Sequence, residues 1–171
     1  APIDFIREQK FDCPNEYEVI FQEIRSIEQF QEIKFKDDIY AWLVNPCPEF
    51  FIGEEVLNKF VNLKVLVTPS TGKSHIDQKY CKNNKIILKG LLDSPVVGEI
   101  TASSEFTFLL CLAVVRNLYS AIKEVKKFNW RNIENKLRGR EISELQIGIV
   151  GFGRIGNNLY KYFSSMGSKV F

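Results

Sequence analysis

The sequence predicts an α/β protein with a mainly parallel sheet. Stretches with the apolar pattern of strands alternate with stretches of helical spacing, and short turns separate them. Residues 38–44 form an almost continuous apolar run that ends before Pro46, which is typical of a strand buried on both faces. A glycine-rich turn at 151–156 directly follows another strand-like run, and it indicates a second α/β unit.

The elements of the first half follow in a regular order. Strands are predicted where short apolar runs end at turn residues, at 18–23, 38–44, 63–68 and 85–88. Helices are predicted where apolar residues recur with helical spacing, at 26–33, 52–60 and 76–84. The opening Ala1-Pro2-Ile3 has the pattern of a strand end, and residues 1–10 lack the apolar run of a secretion signal.

A long helix is predicted over 103–129. Its first half is apolar on nearly every side and its second half is amphipathic, so two explanations stay open: burial inside one domain, or a seam between subunits or domains. Residues 129–144 have few apolar side chains and are interpreted as a hinge-like connection. A boundary near Pro95 divides the chain into predicted domains 1–95 and 96–171.

Composition and charge exclude several classes of protein. The 171 residues carry a formal net charge of +2, which is too small to indicate a nucleic-acid or membrane-surface partner. The most apolar run, 106–119, is too short to span a bilayer and contains Arg116 and Asn117. We therefore expect a cytoplasmic protein with no membrane and no nucleic-acid partner.

The cysteines indicate reduced thiols and no metal site. No Cys-x-x-Cys pair occurs, and the single histidine excludes an ordinary Cys/His zinc site. Reduced, mostly buried thiols are therefore expected at Cys13, Cys47, Cys81 and Cys111.

The glycine-rich turn predicts a dinucleotide site. The sequence Gly151-Phe152-Gly153-Arg154-Ile155-Gly156 lies between a predicted strand at 145–150 and a predicted helix at 157–166, and a new strand starts at 169. Gly151 permits the tight turn, Gly153 lets a pyrophosphate approach the main chain, and Gly156 lets the helix pack on the strand. The N–H groups of Arg154 and Ile155 are expected to point at the phosphates.

The dinucleotide site is incomplete in the sequence as written. A Rossmann unit places an acidic residue about 20 positions further on, where it binds the adenosine ribose. The chain stops at Phe171, before that position, so the sequence does not distinguish NAD from NADP. A second candidate site is the loop 69–74, because ligands of parallel sheets bind at the carboxyl ends of the strands. A plain strand-to-helix turn is the alternative for this loop.

Several segments together resemble one family, the D-isomer-specific 2-hydroxyacid dehydrogenases, which include phosphoglycerate dehydrogenase. The resemblance covers nearly the whole chain and matches the N-terminal half of these enzymes. It rests on Asn62-Leu63-Lys64-Val65, Gly72-Lys73-Ser74-His75-Ile76-Asp77, Ala102-Ser103-Ser104-Glu105, Phe128-Asn129-Trp130, Arg138-Gly139-Arg140-Glu141-Ile142 and 148–156. Ser74 stands where the family has Asp, and Glu144-Leu145 replaces its Gly-Lys.

The resemblance implies a fold and a set of site residues. The fold is a flavodoxin-like substrate domain, followed by a long helix and the truncated start of a Rossmann NAD-binding domain. The loop Ser70-Thr71-Gly72 would bind the substrate carboxylate, and Thr71 would also touch the cofactor. The cofactor, NAD or NADP, would be held by Gly151, Gly153, Arg154, Ile155 and Gly156. His75 replaces the family's Asn and is expected at the surface or at a helix start, without a catalytic role.

The implied reaction is hydride transfer between a small 2-hydroxy or 2-oxo acid and nicotinamide. In the family the catalytic His, Glu and Arg lie downstream of the glycine motif, so this chain holds no catalytic residue and is expected to be inactive alone. The resemblance also implies a homodimer through the 103–129 helix. The alternatives are another NAD-dependent enzyme, resembling adenosylhomocysteinase, and a non-catalytic, dimer-forming binding or regulatory remnant of the fold.

Overall fold

The computed structural model describes residues 15–171, except 35, 47 and 130. The chain forms two compact units, one ending at Val97 and the other running from Gly98 to Phe171. The predicted strand end at 1–3 and two of the cysteines, Cys13 and Cys47, lie outside the described residues. The other two cysteines are free thiols, Cys81 buried and Cys111 half-buried.

The first unit is built on a parallel sheet, which confirms the predicted α/β class. Its strands are β1 (Ala41–Leu43), β2 (Val65–Thr68) and β3 (Ile87–Gly90), in the order β1-β2-β3. Helix α1 (Glu54–Leu57) connects β1 to β2, and α2 (Gln78–Asn83) connects β2 to β3. Parallel strands need such crossovers, because a tight hairpin joins only antiparallel neighbours.

An apolar core holds these elements together. The ring of Phe30 meets the rings of Trp42, Phe50 and Phe60 edge-on, with centroids 5.3–5.7 Å apart. Such edge-to-face contacts suit the charge distribution of aromatic rings. The other buried apolar residues of this core are Ile33, Val44, Ile52, Val56, Leu57, Leu63, Leu66, Ile76, Cys81 and Ile86.

Three predictions for the first unit were wrong in detail. Residues 18–23 form no strand, and the helix predicted at 26–33 is a short 3-10 turn, Glu28–Gln31. The strand predicted at 38–44 is shortened to β1 and is not buried on both faces, since Ala41 and Leu43 are exposed. Within the described sheet β1 is an edge strand, so one side of it lacks a neighbour.

The second unit begins with two helices where one was predicted. Helix α3 (Ala102–Val115) and helix α4 (Leu118–Val125) are separated by Asn117, whose φ of 51° lies in the left-handed region. Asn tolerates this conformation better than most residues, because its short side chain bonds locally. The prediction of one continuous helix over 103–129 is therefore wrong, because the helix is interrupted at Asn117 and the apolar pattern does not show this interruption.

Residues 138–140 pack against the backbone at the break between α3 and α4. The Arg140 N–H donates to the Val115 carbonyl at 3.2 Å, and the Asn117 side-chain amide donates to the Arg138 carbonyl at 3.3 Å. A Cβ added at Gly139 would lie 2.4 Å from the Val115 carbonyl oxygen, so the two backbones meet in direct contact. The predicted connection 129–144 thus includes a docked segment, and it also contains helix α5 (Glu134–Leu137).

A short βαβ unit completes the chain. Strand β4 (Gln146–Ile147) pairs in parallel with β5 (Lys169–Val170), and α6 (Arg154–Ser165) lies between them in sequence. The strand predicted at 145–150 is shorter, and the helix begins three residues earlier than 157. Single 3-10 turns occur at Lys36–Asp38, Leu91–Asp93, Pro95–Glu99, Arg131–Ile133 and Ile142–Glu144.

Helix α3 packs on α6 along one side only. The Phe108 ring lies 5.0 Å from the Phe163 ring and 5.6 Å from the Tyr162 ring, measured between centroids. Of the two explanations for its apolar sides, burial inside one domain is wrong for the described residues, because Phe106 and Val114 are 60% and 76% exposed. A seam between subunits or domains stays a prediction. By length and composition alone, 95–115 would suffice to cross a membrane; a single such stretch is weak support for a span.

Candidate functional site

The glycine turn between β4 and α6 is held by close backbone contact. Gly151 has a φ of 94°, which favours glycine, and it opens the turn. A Cβ added at Gly156 would lie 2.2 Å from the Gly151 carbonyl oxygen, so this position accepts only glycine without rearrangement. The turn therefore has its shape before any ligand binds.

The first turn of α6 presents unpaired backbone donors. The first backbone hydrogen bond of the helix is donated by the Asn157 N–H to the Gly153 carbonyl, at 2.9 Å. In the described part of the chain, the N–H groups of Arg154 and Ile155 have no acceptor, as expected at a helix start. The helix dipole adds a partial positive charge at the same end, so the turn can bind an anion.

Gly153 leaves the approach to these donors open. A Cβ built on Gly153 meets no atom within 4 Å, in contrast to Gly156. The space beside Gly153 is therefore free for a ligand, and any side chain there would project into it. Free donors, an open approach and a positive helix end fit the pyrophosphate of NAD or NADP.

Two polar side chains of α6 tie the turn to α3 and to the segment just before it. The Arg154 guanidinium donates to the Ile100 carbonyl, and the Asn158 side-chain amide donates to the Ser104 hydroxyl at 3.2 Å. Ser104 is fully buried, and its hydroxyl donates in turn to the Thr101 carbonyl at 2.8 Å. Arg154 therefore anchors the turn with its side chain and offers its backbone N–H to a ligand.

The second candidate site is the loop after β2. Thr68 ends the strand with its side chain buried, and its Oγ1 lies 3.2 Å from Ser70 Oγ. The Ser70 hydroxyl donates to the Gly72 carbonyl at 2.5 Å, which closes a tight turn. Among the residues that the structure describes, the N–H groups of Thr71 and Gly72 find no acceptor. The loop thus presents two free donors, which suits a carboxylate.

His75 belongs to this loop, and the expectation of a surface or helix-start role is incomplete. Its Nε2 lies 3.1 Å from Thr68 Oγ1, and its carbonyl accepts from the Ile52 N–H at 2.9 Å. The residue is half-buried, and this burial lowers the pKa of His75 below that of an ordinary histidine. Helix α2 starts instead at Asp77, whose carboxylate accepts from the Tyr80 N–H at 2.9 Å.

The Lys73 side chain is used within the first unit. Its ammonium lies 2.7 Å from the Asp93 carboxylate, which also accepts from the Gly90 N–H at 2.7 Å. These two donors hold the pKa of Asp93 below its ordinary value. The pair ties the loop to the end of β3, so Lys73 is not an unpaired cation at the site.

The structure brings the predicted residues together in two local clusters. Gly151, Gly153, Arg154, Ile155 and Gly156 form one turn, and Ser70, Thr71 and Gly72 form the other; their binding roles stay predictions. Sequence reasoning missed residues that hold these turns, namely Thr68, Asp93, Ser104 and Asn158. Thr68 had a readable signal, because it is a polar residue at the carboxyl end of a buried strand.

Other features of the described residues point to no site beyond these two. No group of three or more His, Cys, Asp or Glu side chains could hold a metal ion there. A surface recess of about 570 Å³ is lined by three arginines and three glutamates, so its formal charge cancels. The residues that line it are Arg116, Glu134, Leu137, Arg138, Gly139, Arg140, Glu141 and Glu144.

Comparison with known proteins gives a consistent family. Residues 108–171 match the family model described as D-isomer specific 2-hydroxyacid dehydrogenase, NAD binding domain. Glyoxylate reductase of Thermofilum pendens is 34% identical over 146 residues, which are 84% of this chain and 40% of that protein. D-specific alpha-keto acid dehydrogenase of Enterococcus faecium is 30% identical over 66% of this chain and 33% of its own length.

A solved structure agrees with the sequence comparison. D-lactate dehydrogenase from Aquifex aeolicus, in complex with NAD and lactic acid, matches with a TM-score of 0.65 and 30% identity. The match covers 82% of this chain and 39% of that one, so the chain spans well under half the length of these relatives. The cofactor class of the matched domain is NAD(P), and residues 108–171 belong to the NAD-binding domain of the D-isomer specific 2-hydroxyacid dehydrogenases.

Proposed function

We propose that the protein to which this chain belongs is an NAD(P)-dependent oxidoreductase that interconverts a 2-hydroxy acid and a 2-oxo acid. One observation carries the proposal: the start of α6 presents the free N–H groups of Arg154 and Ile155 beside the open space at Gly153. This arrangement lies in the part of the chain that matches the NAD-binding family. The relatives named above act on glyoxylate, alpha-keto acids and lactate.

The residues of α6 would hold the cofactor by its pyrophosphate. The free N–H groups would donate to the phosphate oxygens, and the helix dipole would add about 0.3–2 kcal/mol for an anion at this end. The bond from Arg154 to Ile100 keeps the turn in place, so little ordering is needed on binding. A cofactor held there would supply hydride transfer between its nicotinamide and C2 of the acid.

The loop Ser70-Thr71-Gly72 would hold the substrate. Its free N–H groups would donate to the carboxylate, and the bond from Ser70 to the Gly72 carbonyl fixes their direction. Thr71 is also the proposed contact of this loop with the cofactor. The acid–base His, its Glu partner and the carboxylate-binding Arg of the family belong to sequence beyond the glycine motif, so residues 1–171 alone are proposed to bind without turnover.

The pairing of Lys73 favours a small substrate without a phosphate group. The one lysine of the loop 69–74 is 2.7 Å from Asp93, and releasing it would leave that carboxylate without its cation. A phosphate ester would gain from a free cation in the loop, whereas a simple 2-oxo acid needs only the backbone donors. We therefore propose glyoxylate-sized or lactate-sized acids over phosphoglycerate.

The test is NADH binding by the 171-residue chain, followed by cofactor fluorescence. Gly153→Val would fill the open space and is expected to weaken binding by about tenfold or more. Gly98→Val is the matched control, because a Cβ at Gly98 also meets no atom within 4 Å but lies outside the turn. Equal binding by both variants, or none by the wild type, would contradict the proposed cofactor site.

The exposed faces of α3 and α4 favour a second role, dimer formation. Phe106, Val114 and Tyr119 are each at least 60% exposed, although large apolar side chains favour burial. Helix α3 has 14 residues and is about 21 Å long, and only together with the residues before it does the stretch 95–115 reach the length of a bilayer core of about 30 Å. We propose a second copy of the chain as the occupant, which holds for an enzyme and for a non-catalytic remnant alike.

Sedimentation measures this second role directly. Val114→Glu places a charge in the exposed face and is expected to shift a dimer to a monomer. Lys161→Glu is the control, because Lys161 is exposed on α6 and lies on neither α3 nor α4. A monomeric wild type at micromolar concentration would contradict the dimer without affecting the proposed cofactor site.

A further inference from the structure

We infer that His75 is a positioning residue: through Thr68 and Ser70, its imidazole N–H fixes the loop that presents the Thr71 and Gly72 amides. A role of this loop in substrate binding rests on the proposed function, so the order of the loop and its binding of substrate are measured separately.

The direction of the hydrogen bonds follows from counting protons. The Ser70 hydroxyl has one proton, and it is donated to the Gly72 carbonyl, which only accepts. The bond of 3.2 Å between Ser70 and Thr68 must therefore use the proton of Thr68. The oxygen of Thr68 is then left to accept, so His75 Nε2 must donate across 3.1 Å. The chain of donors runs from His75 to Thr68, then Ser70, then the Gly72 carbonyl.

The donors of this hydrogen-bond chain are attached to the fold. The His75 carbonyl accepts from the N–H of Ile52, a fully buried residue, so the backbone beneath the imidazole is anchored to the core. Thr68 is 1% exposed, and a hydroxyl buried to that degree needs partners from the protein. The Ser70 carbonyl accepts from the Leu91 N–H at 2.9 Å. The exposed tip, Thr71 and Gly72, is held by these bonds rather than by burial.

The chemistry at position 75 is specific. The site needs an N–H donor that reaches Thr68, and imidazole supplies one only in the tautomer with the proton on Nε2 or when it is charged. An amide side chain also supplies a donor, whereas an aliphatic side chain does not. A donor requirement therefore predicts that His75→Gln preserves the loop and that His75→Leu releases it.

The first experiment determines which tautomer the His75 imidazole adopts. The chain has a single histidine, so a long-range proton–nitrogen NMR spectrum of the ¹⁵N-labelled chain at pH 8 shows only this ring. We expect the proton on Nε2. A proton on Nδ1, or rapid averaging between the two nitrogens, would overturn the inference.

The second experiment measures order in the loop. Heteronuclear NOE values of the Thr71 and Gly72 amides are compared in the wild type, His75→Gln and His75→Leu. We expect them to fall in His75→Leu and to be retained in His75→Gln. Thr68→Val removes the same relay without changing the histidine, so it replaces His75→Leu if that variant does not fold. Equal values in every variant would overturn the inference.

The third experiment connects the loop to substrate. Oxamate, an unreactive analogue of a 2-oxo acid, is titrated against the Thr71 and Gly72 amide signals. We expect binding to weaken about tenfold in His75→Leu and to stay within about threefold in His75→Gln. Equal weakening in both variants would overturn the positioning role. No binding by the wild type, with the tautomer and loop order as expected, would instead overturn the proposed substrate site.

Discussion

The loop after β2 and the glycine turn before α6 both hold free backbone N–H groups in place, but different interactions stabilise the two segments. Each follows a parallel strand, and each leaves two backbone N–H groups without an acceptor among the described residues. The glycine turn is held by backbone contact, since a Cβ at Gly156 would lie 2.2 Å from the Gly151 carbonyl oxygen. The β2 loop is held by side chains, through hydrogen bonds among Thr68, Ser70 and His75.

The difference separates steric from chemical control. A turn held by close contact excludes added atoms, so its sequence is narrowly restricted and easily recognised. A loop held by hydrogen bonds accepts any side chain that donates and accepts at the right place. We therefore expect the two regions to respond to opposite kinds of substitution.

The largest effect is expected from adding one methyl group to the glycine turn. Gly156→Ala should lower the free energy of unfolding by about 1–3 kcal/mol, because the new Cβ overlaps the Gly151 carbonyl. Gly153→Ala is the control, since its Cβ would meet nothing within 4 Å. Urea unfolding measures both. The sign of the change in the free energy of unfolding is informative, because replacing glycine by alanine inside a helix otherwise stabilises the helix. A Gly156→Ala variant more stable than the wild type would contradict the steric account.

The corresponding change in the β2 loop keeps the volume and removes the hydroxyl. Thr68→Val should lower the free energy of unfolding by about 1–3 kcal/mol, because Ser70 and His75 lose their buried partner. Thr68→Ser keeps the hydroxyl and should retain the hydrogen bonds, at the cost of a small cavity. If valine at this position is as stable as threonine by urea unfolding, side-chain bonds do not hold the loop.

A smaller effect is expected from the ion pair beside the same loop. Because Lys73 and the Gly90 N–H lower the pKa of Asp93, the ionised carboxylate is favoured in the folded chain. The free energy of unfolding should then fall as pH drops below about 3.9, the ordinary value for Asp. Asp93→Asn should lower the free energy of unfolding less than the two substitutions above near neutral pH, because the pair is partly exposed.

Urea unfolding of the wild type and of Asp93→Asn over a series of pH values tests this prediction. The difference in free energy of unfolding between the two should shrink from pH 6 to pH 3. A constant difference would show that the carboxylate does not depend on its partners.

The smallest effect is expected from the titration of His75. Burial lowers its pKa, so the unfolded chain takes up the proton first as pH falls. The free energy of unfolding should therefore decline below about pH 6.5, where an ordinary histidine titrates. His75→Gln removes this dependence, and thermal unfolding between pH 8 and pH 5.5 compares the two. A steeper decline in the variant would reverse the assigned sign.

Much of the fold was predictable because it depends on periodic patterns. The alternation of strands and helices, the parallel βαβ unit and the glycine turn follow from apolar spacing and from residues with special backbone freedom. The break at Asn117 did not follow, because it needs the contact between Gly139 and the Val115 carbonyl, which lies outside any local window. The exposure of β1 was likewise not predictable, because it depends on the position of this strand at the edge of the sheet and not on the sequence of residues 41–43.

The candidate site shows the same division. The residues from Gly151 to Gly156 are contiguous, so their motif and its context were readable together. The partners of the β2 loop were less readable, because Thr68 and His75 are seven positions apart and the bond depends on a tautomer. The pairing of Lys73 with Asp93 joins residues 20 positions apart and gives no sequence signal.

The break at Asn117 has a consequence for how the second unit folds. Helices α3 and α4 can each form from local contacts, but the bonds that fix the angle between them come from Arg138 and Arg140, more than 20 residues later. Closing that loop costs conformational entropy that neither helix recovers alone. The two helices should therefore gain helicity early in refolding and acquire their mutual orientation in a later step, when Gly139 docks against Val115.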